Sequence, residues 1–145
     1  MTTQSPGPLN ASAALSVGLT AERTWTVEAN DLARSHGSGD VDVLATPALV
    51  AFCEETARKA VEPHLAEGDT TVGTRLEIDH LAPTPSGLRV TVKSRLISVD
   101  GRRLRFEIEA LDEHEPIARA VHERVIVDAV RFEERARAKR VTGNG

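Results

Sequence analysis

The chain has 145 residues, 40% of them hydrophobic and 28% charged, which suits one compact domain with a core and excludes a disordered or multidomain protein. A net charge of −4 and a pI near 5.7 give no field that would draw nucleic acid or anionic lipid to the surface. Cys53 is the single cysteine, so an intrachain disulfide framework is excluded and a reducing cytoplasm is the expected location.

Residues 1–20 read as a flexible or loosely docked leader, with Ser5-Pro6-Gly7-Pro8 and a run of small residues. No Lys or Arg precedes the mildly apolar residues 11–19, and Ser12 and Ser16 interrupt them, so a signal peptide is not expected there. No stretch approaches the ~20 apolar residues of a membrane span. Residues 21–132 are expected to form the domain, and residues 133–145 a basic tail.

Alternation over residues 22–28 sets Thr24 and Thr26 against Arg23, Trp25 and Val27, and predicts a first strand. Residues 30–44 pass through Ser35-His36-Gly37-Ser38-Gly39, a loop signal. Thr46-Pro47 predicts a helix start, with Thr46 as the cap and proline at the first helical position, where no needed donor is lost. The helix is expected to run to about His64, loosened near Pro63.

Val50, Cys53, Ala57, Ala60 and Val61 predict the apolar stripe of that helix, and Ala51, Glu55, Arg58, Lys59 and Glu62 the charged one. Glu54 lies within or beside the apolar stripe, one turn from Val50 and Ala57.

Four strands are predicted next. In residues 72–81, Val72, Thr74, Leu76, Ile78 and His80 share one face, opposite Gly73, Arg75, Glu77 and Asp79. Residues 88–99 place Leu88, Val90, Val92 and Leu96 together, and Asp100-Gly101 marks a hairpin. Leu104, Phe106, Ile108 and Ala110 form the apolar face of residues 102–111. Residues 117–130 follow, with Arg124 on the face of Ala118, Ala120, His122 and Ile126. The order strand, helix, four strands predicts an α+β domain in which an antiparallel sheet wraps one long central helix, and its exposed edges predict a homodimer. Residues 131–140 carry five basic side chains and could form a short helix.

Glu54 and His80 are polar groups on otherwise apolar faces. A buried polar group without a partner costs about 1–3 kcal/mol. An imidazole and a carboxylate meeting in a partly dry cleft can exchange protons near neutral pH, as a catalytic pair or a structural ion pair. For Thr46 a cap and a functional hydroxyl are both open, and the roles can coexist. Gly73 either relieves crowding or marks a bulge, or offers a backbone N–H to a carbonyl. Arg124 is expected buried, holding a carboxylate. Arg102, Arg103 and Arg105 read as a solvated hairpin, with contact to a phosphate as the alternative. The five histidines show no zinc spacing, no phosphate-loop Lys-Ser/Thr follows Gly37-Ser38-Gly39, and no serine sits in a G-x-S-x-G elbow.

Taken together, Ala45-Thr46-Pro47-Ala48-Leu49-Val50 through Glu54, Thr71-Val72-Gly73-Thr74 to His80-Leu81-Ala82-Pro83-Thr84-Pro85, Val99-Asp100-Gly101-Arg102-Arg103-Leu104 and His122-Glu123-Arg124 resemble the fluoroacetyl-CoA thioesterase type of hotdog-fold protein. The resemblance covers residues 22–132. It implies a hotdog homodimer that hydrolyses a short acyl-CoA at the subunit interface, with no cofactor or metal. It also implies Thr46, Glu54 and His80 as the catalytic set, and Gly73 and Arg124 beside the acyl group. The family's fluoroacetyl-specific enzyme has phenylalanines just before its threonine. Residues 35–44 here hold no aromatic side chain, so an aliphatic pocket and a different small or medium acyl group fit as well as fluoroacetyl.

Two other readings fit the same sequence. A hotdog enoyl-CoA hydratase would use Asp31 and His36, although the Asn-Pro between that family's acid-base pair is absent. A non-catalytic protein would hold acyl-CoA in the same pocket without turnover, but nothing in the chain resembles an attached DNA-binding module.

Overall fold

The computed structural model describes the backbone of residues 15–143 and side chains up to residue 140. Of the expected leader, residues 1–14 lie outside the described residues. Leu15 is buried, and the Gly18 N–H donates to the Leu96 carbonyl at 2.8 Å.

Five strands form one antiparallel sheet in the order β1-β3-β4-β5-β2: β1 Thr20–Thr26, β2 Asp69–His80, β3 Arg89–Asp100, β4 Arg103–Leu111 and β5 Pro116–Asp128. Among the described residues there are also the α-helices α1 Ala33–His36, α2 Thr46–Val61 and α3 Ala129–Gly143, with short 3-10 turns at Ala29–Asp31 and Glu62–His64. The segment expected as a loop therefore contains the short α1, closed by Gly37 in the left-handed region at φ 64°. It is held to the start of α2 by the Ala33 N–H to Val43 carbonyl bond and the Ala45 N–H to Asp31 carbonyl bond, both 2.8 Å.

The expected alternation of β3 and β4 holds. Val90, Val92, Leu96, Leu104, Phe106 and Ala110 are at most 1% exposed on the face that receives α2. Burying each such side chain stabilises the fold by about 1.5–3 kcal/mol. Gly101, at φ 60°, takes the first turn position between paired Asp100 and Arg103, a conformation that favours glycine in a tight hairpin.

The buried stripe of α2 differs from the expected one. It comprises Ala48, Leu49, Phe52, Cys53, Thr56, Ala57, Ala60 and Val61, with Trp25 of β1 stacked on Phe52 at a centroid distance of 4.4 Å. Val50 falls outside it. Thr46, Val50 and Glu54, four residues apart, instead form a row along one edge of the helix, and none of them is buried.

A bulge corrects the reading of β2. Gly73 pairs with Arg124 and Arg75 with Glu123, leaving Thr74 as an extra residue whose hydroxyl donates to the Glu123 carbonyl. Inserting one residue switches faces. Thr71 and Gly73 therefore share the inner face with Leu76, Ile78 and His80, opposite Ile126, Arg124, His122, Ala120 and Ala118. A continuous alternation would have put Gly73 on the outside.

Candidate active site

The Thr46 hydroxyl is not a cap. Ala45 is the N-cap residue and makes no side-chain cap bond, Thr46 is the first helical residue, and its Oγ1 lies 2.8 Å from His80 Nδ1. The hydroxyl is taken by the imidazole at the end of β2, so it is lost to the helix end. His80 is half-buried, and burial pushes its pKa below the usual imidazole value. Its Nε2 is buried without a hydrogen-bond partner among the described residues. A polar atom left in that state calls for an explanation, because native proteins pair nearly all of them.

This pair opens onto a cavity of about 310 Å³, a volume at the small end for ligand pockets. Ala33, Val41, Val43, Leu44, Leu81 and Pro83 supply its apolar wall, and no aromatic side chain lines it. The wall is aliphatic, as residues 35–44 implied. The α1 segment builds one side of it, which loop composition did not reveal.

Glu54 belongs to a second cluster. Its Oε2 lies 3.7 Å from Arg124 Nη1, with the Glu54 side chain 45% exposed and the Arg124 side chain 6% exposed. Arg124 donates from Nε to Thr71 Oγ1 at 2.9 Å and from Nη2 to the Thr71 carbonyl at 3.0 Å. Burial lowers the Arg124 pKa from its ordinary value, nearby Glu54 works against that shift, and Arg58 adds to it. Arg124 is thus buried and paired with a carboxylate, as its strand position suggested. A buried guanidinium is tolerable only when its donors are met this way.

Gly73 faces Glu54. A Cβ at this position would overlap Glu54 Oε2 and would lie 3.2 Å from His122 Cε1 and 3.3 Å from Arg124 Nη1. The glycine leaves the volume in which the carboxylate sits.

Glu54 and His80 do not meet within one chain. Thr46 and Glu54 are eight residues apart on α2, a rise of about 12 Å. Gly73 and His80 are seven residues apart on β2, roughly 20 Å along the strand. Polar groups on facing elements thus stand at different levels of the fold, so sharing a face does not bring Glu54 to His80.

Cys53, beside Glu54 in the chain, is 1% exposed, and burial together with the Glu54 charge pushes its thiol up to about 12. It is a core residue. Asp31 and His36, the pair a hydratase would use, are engaged otherwise: Asp31 Oδ2 accepts the Glu28 N–H at 2.9 Å and His36 ends α1 as an exposed residue. Among the described residues no three His, Cys, Asp or Glu side chains group as metal ligands would, and no helix is long and apolar enough to cross a membrane.

Residues 27–130 match the family model described as fluoroacetyl-CoA-specific thioesterase. A fluoroacetyl-CoA thioesterase from Streptantibioticus cattleyicolor is 36% identical over 102 residues, covering 70% of this chain and 73% of that protein. The solved structure of the fluoroacetyl-CoA thioesterase FlK superposes with a TM-score of 0.82 at 30% identity, covering 86% of this chain and 97% of that one. A thioesterase superfamily member from Thermus thermophilus gives a TM-score of 0.83 at 29% identity, over 89% and 96% of the two chains. A hot-dog-like protein from Thermanaerovibrio acidaminovorans gives 0.81 at 26%, over 88% and 95%. The sheet wrapped on one long helix is thus the hotdog fold, and the chain belongs to the fluoroacetyl-CoA-specific thioesterase family of thioester hydrolases.

Proposed function

We propose that the protein hydrolyses small acyl-CoA thioesters, with Thr46, Glu54 and His80 as catalytic residues and Gly73 and Arg124 beside the acyl group. The observation that carries this reading is the 2.8 Å contact between the Thr46 hydroxyl and His80 Nδ1 at the mouth of a small aliphatic cavity. With its proton on Nε2, the imidazole accepts the hydroxyl proton at Nδ1, the arrangement that activates a weak nucleophile.

The reaction then balances in two halves. Thr46 Oγ1 attacks the thioester carbonyl as His80 takes its proton, the C–S bond breaks, and the CoA thiolate leaves with that proton. Water next attacks the threonyl ester as Glu54 draws its proton, and when the C–O bond to Thr46 breaks that proton is returned to Thr46 Oγ1, which releases the acid and restores both the hydroxyl and the carboxylate.

Such a site needs Glu54 near His80, and a homodimer supplies this. β2 is an edge strand whose inner face carries half-buried Leu76, Ile78 and His80, next to the unburied row Thr46, Val50, Glu54. Antiparallel pairing of two β2 strands about a twofold near Leu76 and Glu77 sets Gly73 of one protomer opposite His80 of its partner. Each site then combines Glu54, Gly73 and Arg124 from one protomer with Thr46 and His80 from the other. The single cysteine, Cys53, is buried and free, which fits a reducing cytoplasm.

The test is thiol release from a panel of acyl-CoAs of increasing chain length. Turnover confined to short acyl groups supports the reading. No release from any member, with CoA esters still bound in calorimetry, replaces it with a non-catalytic binding protein.

A further inference from the structure

His122 is a fully buried, ionisable side chain that the proposed chemistry does not use. It is 1% exposed and lies beside the Phe106 ring at a centroid distance of 6.1 Å. Both ring nitrogens are engaged: Nδ1 lies 2.8 Å from the Arg75 carbonyl and Nε2 lies 3.2 Å from Arg124 Nη1. A carbonyl can only accept, and a guanidinium can only donate. The imidazole is therefore neutral, with its proton on Nδ1 and its lone pair on Nε2 aimed at Arg124.

This fixes where the guanidinium points. Thr71 holds the Nε and Nη2 side and His122 holds Nη1, the nitrogen that stands 3.7 Å from Glu54 Oε2. All three direct hydrogen bonds go to uncharged acceptors. Glu54 is reached at ion-pair distance, so its oxygens keep their hydrogen-bonding capacity for water or substrate.

We infer that His122 is a positioning residue: anchored by the Arg75 carbonyl, it turns Arg124 toward Glu54 and thereby sets the placement of that carboxylate. The inference rests on the thioesterase reading for its kinetic consequence, but its geometry can be tested apart from it. The bulge at Thr74 contributes, because it brings the Arg75 carbonyl within reach of His122 next to the Gly73 position that Glu54 fills.

Three variants separate the two bonds. His122→Gln keeps an acceptor for Arg124, His122→Asn keeps only a donor for the Arg75 carbonyl, and His122→Phe keeps neither while filling the space beside Phe106. With folding checked by circular dichroism, kcat for thiol release should fall about tenfold or more in the Asn and Phe variants, with KM little changed, and stay within about threefold in the Gln variant. Equal losses in Gln and Asn, or full activity in all three, would overturn the inference. Independently, two-bond ¹H–¹⁵N spectra of the wild-type protein, assigned by difference against His122→Gln, should show the neutral Nδ1–H form at pH 7. An Nε2–H form or an imidazolium would overturn it as well. If the wild-type protein releases no thiol, the thioesterase reading fails, and the spectrum still decides the tautomer on which the positioning role depends.

Discussion

The carboxylate of Glu54 occupies the space that any side chain at Gly73 would need. The two residues come from different elements, α2 and β2, and the contact exists because a bulge turns Gly73 inward. Replacing Gly73 by alanine therefore acts first on the carboxylate, the movable end of a flexible side chain, and also presses on the buried His122 and Arg124 side chains. Gly73→Ala should still fold, with a melting temperature lowered by the pressure on His122 and Arg124, and should lose at least about tenfold in kcat, because the proposed catalytic role of Glu54 makes small displacements of its carboxylate costly. An unfolded variant, or one with full activity, would contradict this account.

Thr46 and His80 should act as one unit. Removing either, as Thr46→Ala or His80→Ala, is expected to lower kcat about 100-fold or more. The double variant should be no worse than the poorer single variant, because a nucleophile and its base are not additive. Thr46→Ser retains the hydroxyl and should keep most of the activity. Steady-state thiol release measures all four.

A composite site predicts complementation. Glu54→Gln and His80→Ala homodimers should each be inactive. After subunit exchange at equal concentrations half of the dimers are mixed, and each mixed dimer has one intact site, so activity should return to about a quarter of wild type. A site built within one chain would give no recovery on mixing.

Stability should fall as the medium becomes acid. Burial lowers the pKa of both His80 and His122; for His122 the bond to the Arg75 carbonyl and the Glu54 and Glu123 charges oppose the shift, the Arg124 charge adds to it, and the net direction is downward. A histidine whose folded pKa lies below its unfolded value, about 6.5, binds fewer protons in the folded state through the window between the two. The stabilisation is thus fully present above about pH 6.5 and is lost as the pH falls toward the folded values. Urea midpoints at pH 7.5, 6.0 and 5.0 should decrease in that order, and His122→Gln should flatten the trend.

Thr84 ties the loop ahead of β3 to the β4–β5 turn. Its side chain is fully buried and donates to Asp112 Oδ2 at 2.9 Å, and its carbonyl accepts the Leu44 N–H just before α2. Asp112 Oδ1 also accepts the His114 and Glu115 N–H groups. Thr84→Val leaves that hydroxyl bond unmade and should cost about 1–3 kcal/mol in chemical denaturation. Because Leu44 lines the cavity next to Thr46, the variant should also raise KM.

Much of this architecture was legible because period-two and helical patterns are properties of single elements. Leu104, Phe106, Ile108 and Ala110 needed no partner to reveal their face, and Arg124 could be placed beside His122 by counting along one strand. What stayed hidden depended on relations between elements. Gly73 signals a bulge as one of several readings, but the alternation along the strand reads as unbroken, and it is the extra residue at Thr74 that decides which way Gly73 points. The hydroxyl of Thr46 could cap its own helix, and only the approach of His80 diverts it. Residues 33–36 are too few for a periodic signal, and their fold is held by backbone bonds to Val43 and Asp31 that composition cannot show.

The burial of Cys53 has a practical consequence for every kinetic test above. Free CoA is counted with thiol-reactive dyes, and a protein thiol that reacted with them would raise the background and modify the enzyme during the assay. Here the chain's one sulfhydryl is screened from solvent, and its ionisation is pushed up to about 12, so almost none of it is the reactive thiolate at neutral pH. The colour that develops in a cuvette therefore reports product alone, and the enzyme can be left in the dye without reductant.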